Sequence, residues 1–178
     1  MQTGDLSRTL DPADGLFVAG RAYVAGAHAI VKSGVRANYD NDFRFVVPCM
    51  MLIGHAIELY LKAWLASEGY GEKKLQNRPF GHNLRSLYEE ARKMGLPEPP
   101  MPVQQSIHDL VESYEIDHRE FKFRYLQEGW RFEVPKMDLL FQIFVMLDGV
   151  IAAKLNKVVP ENLDWSVGPD EDFRLLVS

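Results

Sequence analysis

Between Leu52 and Leu65 the chain reads Leu-Ile-Gly-His-Ala-Ile-Glu-Leu-Tyr-Leu-Lys-Ala-Trp-Leu, a helical pattern that is apolar on nearly every side. At about 3.6 residues per turn, His55, Glu58 and Lys62 fall on one narrow stripe, while Ile53, Ala56, Ile57, Leu59, Tyr60 and Trp64 cover the rest. Such a helix has to be buried on most sides, so the chain must wrap other elements around it. The stripe then needs internal partners or an opening to water, because an unpaired buried charge costs several kcal/mol.

The surrounding sequence supplies helices for that purpose. Asp11-Pro12 is an N-cap followed by proline at the first helical position, and a helix is expected from there to about Ser33, stopped by Gly34. Its Leu16, Tyr23, Val24, Ala27, Ile30 and Val31 form an apolar face, and Arg21, His28 and Lys32 a solvated one. Gly20, Ala22, Ala25 and Gly26 permit close approach of a neighbour. The apolar helix itself starts near Asp42 or just after Pro48 and ends at Gly69, followed by a polar loop to Gly81. A third helix runs from His82 or Asn83 to Met94. A stiff connector with Pro97, Pro99, Pro100 and Pro102 comes next, then a short fourth helix built on Val103, Ile107, Leu110, Val111 and Tyr114.

From His118 to Pro135 the period changes: Phe121, Phe123 and Tyr125 alternate with Lys122 and Arg124, and Glu128-Gly129 can turn the chain. A short extended or hairpin segment is expected there. Pro135 opens a last helix to about Lys157 that is apolar almost all round, so it is central or half covered by a second copy. This surplus favours a homodimer. Residues 1–10 read as a flexible lead. The tail 158–178, with Trp165, Phe173 and Leu175, is expected to lie on its own bundle or on a partner.

A length of 178 residues with 47% hydrophobic and 25% charged side chains suits one soluble domain, 1–178, which at this size buries roughly 70% of its unfolded surface. The expected fold is all-α, an up-and-down bundle of four to five helices. The single cysteine, Cys49, lies in an apolar run, which rules out a disulfide framework and makes a buried thiol the expectation. The first residues show no basic-then-apolar pattern. The longest apolar run, Phe45 to Gly54, is interrupted by Pro48 and falls short of the ~20 residues that span a bilayer. A cytoplasmic protein with no membrane association is expected. A net charge of −5 argues against tight non-specific binding to nucleic acid while leaving room for a local basic patch.

The helix with Ala56, Glu58, Leu61, Lys62 and Ala63, the polar loop, and His82-Asn83-Leu84 with Leu87 resemble the HEPN superfamily of small helical bundles. The match covers the first three helices. What the resemblance implies is a four- to five-helix bundle, usually dimeric, tied to RNA cleavage, nucleotide handling, toxin-antitoxin pairs or phage defence. The ribonucleases of that family carry an arginine, a polar residue and a histidine, the histidine four to six residues after the arginine, near the start of a late helix. The last helix here has no histidine. Arg21 and His28 have an arginine-x6-histidine spacing, but in the first helix.

Three sets of residues are candidates for a site. His55, Glu58, Lys62 and His82 form a pocket stripe in which a cation meets an anionic ligand and Glu58 orients it; the alternative is an internal polar network. Lys122, Arg124 and Arg131 with Tyr125 and Trp130 form the best RNA- or nucleotide-binding segment, because cations contact phosphates while aromatic faces stack on bases. Its structural alternative is a hairpin whose cations pair with Glu120, Glu128 and Glu133. Finally, His82, His108, Asp109 and Asp148 stand in the order of the metal ligands of HD-type phosphohydrolases. The reading adopted is a HEPN-like dimeric module associated with RNA or nucleotides, non-catalytic, with no cofactor and no metal site. The alternatives are an atypical ribonuclease or toxin using His118, Arg124 or Arg131, and a structural adaptor with a protein partner.

Overall fold

The computed structural model describes residues 11–33, 43–119, 136–158 and 164–168. Six helices make up its regular structure, and no strand occurs among the described residues: α1 (Pro12–Val31), α2 (Phe43–Ser67), α3 (Glu72–Gln76), α4 (Leu84–Lys93), α5 (Val103–Arg119) and α6 (Met137–Lys154). The fold is an all-α bundle. Five helices have ten residues or more, and the short α3 lies in the segment expected to be loop.

Helix α2 is the centre of the bundle, in contact with α1, α4, α5 and α6. Ile53, Ala56, Tyr60, Leu61, Ala63 and Leu65 are all 1% exposed or less, as the all-round apolar pattern requires. By length and composition the segment Phe45–Ser67 would also cross a membrane, a correction to the run counted from sequence. Its 61% burial inside the bundle is what a core helix shows. Pro48 is the sixth residue of α2, not its start, and its exposed ring points away from the core. Gly69, at φ 88°, ends the helix in the left-handed conformation a glycine adopts freely, with the Tyr70 N–H returning to the Leu65 carbonyl.

Helix α1 packs along α2 through small residues. A Cβ on Gly20 would meet the Leu59 and Tyr60 side chains at 3.5 Å, and one on Gly26 would meet Leu52 at 3.3 Å. Its buried face is Phe17, Gly20, Val24, Ala27 and Val31. Tyr23, read as part of that face, is 36% exposed and stacks on His55 instead. The Cys49 thiol is buried and donates to the Ala27 carbonyl.

Helix α6 buries Met137, Leu140, Phe141, Ile143, Phe144 and Leu147 within its own chain, which absorbs most of the apolar surplus seen in the sequence. Val145, 52% exposed, is the largest apolar side chain left on its outer side. The described part of the tail lies on the bundle: Trp165 is 7% exposed and meets the His28 ring edge-on at 5.8 Å. Helix α5 continues to Arg119, past the point where the apolar period fades. Of the expected extended segment, residues 118 and 119 are therefore helical, and residues 120–135 lie outside the described residues.

Candidate functional site

Glu58 and Lys62 are one helical turn apart on α2, and both are buried, at 4% and 7% exposure. The Lys62 ammonium donates to Glu58 Oε1 at 2.7 Å, while His82 Nδ1–H donates to Glu58 Oε2 at 3.0 Å. One carboxylate thus accepts a hydrogen bond on each oxygen, from the Lys62 ammonium and from a ring nitrogen that arrives on the loop leading into α4. Asn83, the next residue, caps α4 by accepting from the Ser86 N–H at 2.8 Å, which fixes where His82 stands. The His82 side chain is 52% exposed, so the cluster runs from the core to the surface. His55 is apart from it: its Nδ1–H donates to the Met51 carbonyl at 2.8 Å and its ring stacks on Tyr23.

Two cavities flank the cluster. One, of about 520 Å³, is lined by Arg78, Phe80, His82, Asn83 and Ser86 at the start of α4. The other, of about 500 Å³, lies between the first turn of α1, the C-terminal half of α2 and α3, and Lys62 lines it. Glu58 therefore joins a residue at the edge of one cavity to a residue in the wall of the other.

A second buried network was not legible as such in the sequence. The Arg21 guanidinium grips Asp148 with two parallel hydrogen bonds, Nε to Oδ1 at 2.7 Å and a terminal nitrogen to Oδ2 at 2.6 Å. Tyr60 donates to the same Oδ1 at 2.7 Å. The Arg21 guanidinium also lies over the Phe17 ring, 4.6 Å from its centroid. The bond to Asp148 raises the Arg21 pKa above its ordinary value. Burial, helped by the Asp148 charge, pushes the Tyr60 phenol far above its own. These groups do not exchange protons near neutrality; they tie α1, α2 and α6 together.

That network corrects two expectations. Arg21 and His28 are only partly open to solvent: Arg21 turns to Asp148, His28 lies edge-on to Phe141 at 5.4 Å and its Nε2 meets the Ser166 carbonyl at 3.2 Å, while Lys32 on the same face is exposed. Nor does the structure gather the metal-ligand set proposed for a phosphohydrolase. Asp148 is held by Arg21 and Tyr60, His82 by Glu58, Asp109 accepts from Gln105, and His108 packs on the Tyr88 ring. Among the described residues no three His, Cys, Asp or Glu side chains group as a metal site. The signal for the missed network was Asp148 itself, a carboxylate in the middle of an apolar helix, which has to find a partner for the same reason as Glu58.

Lys122, Arg124, Tyr125, Trp130 and Arg131 lie outside the described residues, and His118 is in the last turn of α5. Comparison with family models, with curated proteins and with solved structures gives no match to this chain in any of the three.

Proposed function

We propose that this chain is a HEPN-like binding module that holds a nucleotide or a stretch of RNA without cutting it. The observation that carries the reading is the convergence of Lys62 and His82 on Glu58, next to a cavity of about 520 Å³ bordered by Arg78 and the first turn of α4. Glu58, Lys62 and His82-Asn83 are among the residues on which the HEPN resemblance rests. Arg78 and His82 supply hydrogen-bond donors there, and the positive end of a ten-residue helix favours an anionic group. The basic and aromatic segment Lys122, Arg124, Tyr125, Trp130 and Arg131 adds phosphate and base contacts in this proposal. Arg21 and His28, the one arginine–histidine spacing of interest, are committed to packing, which supports binding without cleavage.

The proposal includes a homodimer through the outer side of α6, around Val145, Gly149 and Ala153, where small side chains let two helices approach closely. Light scattering then gives twice the 20.4 kDa mass of one chain. A monomer that still binds RNA would remove the dimer and leave the rest. For the ligand, fluorescence anisotropy of a labelled ATP analogue and of a labelled RNA 20-mer is the test. Arg78→Gln with His82→Gln weakens both by about tenfold, roughly 1.4 kcal/mol, and Lys122→Gln with Arg124→Gln weakens the RNA more than the nucleotide. Wild-type affinity in both double variants would put the ligand elsewhere on the chain, whereas no binding by the parent protein favours a structural adaptor.

A further inference from the structure

The cavity between α1, α2 and α3 has a different chemistry from the one beside His82. Its volume of about 500 Å³ lies within the roughly 300–1,000 Å³ of small-molecule sites. Leu16, Leu59 and Leu75 give it aliphatic walls, and among the described residues Lys62 is the one cation that lines it. The Lys62 side chain is 9% exposed and donates once, to Glu58. An ammonium carries three N–H donors, so two are left without an acceptor among the described residues and can be met by a ligand, or by water, in the cavity that Lys62 lines. Pro12, Gly15 and Leu16 place the first turn of α1 at the same cavity; the N-terminus of that helix is already capped by the Asp11 carboxylate, so Lys62 is what holds an anion there.

The geometry points to a binding site for a monocarboxylate with an aliphatic tail, its carboxylate on Lys62 and its chain against Leu16, Leu59 and Leu75. A neutral chain would fill the walls and leave the Lys62 donors unmet. A phosphate dianion would set two negative charges against an ammonium that Glu58 already shares. A nucleobase finds little to stack on: the one aromatic ring lining the cavity among the described residues, Tyr70, has its hydroxyl on Glu90 and the Lys74 ammonium 3.7 Å from its centroid. At the rim, Glu72 is exposed and accepts from Gln76 at 2.8 Å within α3. This site does not rest on the nucleotide reading and stands or falls separately.

The experiment is calorimetric titration of the full chain with sodium octanoate below its micellar range, with 1-octanol as the neutral chain of the same length. Saturable binding at one octanoate per chain is expected, with octanol at least tenfold weaker. Lys62→Met lowers octanoate to the level of octanol. Gly15→Leu fills the cavity mouth, since a Cβ on Gly15 has no neighbour within 4 Å, and it abolishes binding while keeping the melting temperature. Should Lys62→Met fail to fold, Gly15→Leu decides alone. Absence of saturable octanoate binding, equal affinity for octanol, or full binding by Gly15→Leu each overturns the site.

Discussion

Glu58 shows how a single side chain sets the terms for its surroundings. Both its oxygens are engaged in a place from which water is largely excluded, so the Lys62 charge is tolerable only while the Glu58 charge is present. Glu58→Gln keeps the shape and removes the charge. It is expected to lower the unfolding free energy by about 3–5 kcal/mol in urea melts, the cost of stranding a buried cation. A loss below about 1 kcal/mol would mean that Lys62 reaches solvent. A surface counterpart is the pair Tyr70 and Glu90, joined by a 2.5 Å hydrogen bond. That bond holds the Glu90 carboxyl below its ordinary 4.5 and the Tyr70 phenol above its ordinary 10.0. Glu90 therefore contributes stability above its unfolded pKa and loses it as the pH falls through the lower folded value. In Tyr70→Phe, NMR titration should show the Glu90 pKa moving back up; an unmoved value would remove the hydrogen bond as its cause. The expectation that His55, Glu58, Lys62 and His82 meet was legible for three of the four. It missed on His55 because the helical stripe is wide enough for His55 to turn toward its own helix and Tyr23.

At the scale of elements, the sequence disclosed helices wherever an apolar face or a cap was local, and less where the decisive contact was distant. Asp11-Pro12, Asn83 and the glycines after α2 and α4 are local signals, and they mark the observed ends to within about two residues. Helix α5 was read short because Glu115, Asp117 and His118 interrupt the apolar period, whereas the backbone continues helical to Arg119. Of the face read as solvated on α1, Lys32 is exposed, whereas Arg21 turns inward because its partner, Asp148, is 127 residues away. That link is testable. Asp148→Asn should cost about 3 kcal/mol or more, since Arg21 and Tyr60 lose a shared charged acceptor. Tyr60→Phe, which removes one hydrogen bond, should cost about 1.5–3 kcal/mol. Equal losses would place the energy in the tyrosine rather than the ion pair. The α1–α2 seam gives a second test at Gly20. Gly20→Ala puts its Cβ in ordinary contact and gains helix propensity, so it should be neutral to about 1 kcal/mol stabilising. Gly20→Leu has no room against Leu59 and Tyr60 and should cost about 1–3 kcal/mol. A Gly20→Leu protein as stable as the parent would show that the helices do not approach closely there.

For the whole molecule, the fold follows from a central apolar helix that the other helices enclose, with two buried polar networks holding them in register. The Arg21–Asp148–Tyr60 network joins α1, α2 and α6, and the Lys62–Glu58–His82 cluster joins α2 to the entrance of α4. The first is sealed on most sides, with Arg21 20% and Asp148 3% exposed, and its role is structural. The second opens at His82 and borders two cavities, which is why the proposed binding is assigned to it. The measurement that bears most directly on that assignment is titration of an end-labelled RNA 20-mer with the purified chain. Each sample is read by anisotropy and then on a denaturing gel, with EDTA and with Mg²⁺. Saturable binding with the RNA intact in both conditions is the predicted result. Cutting in EDTA would make the chain a metal-independent nuclease, cutting only with Mg²⁺ would return the search to His and carboxylate ligands, and absence of binding would contradict the account outright.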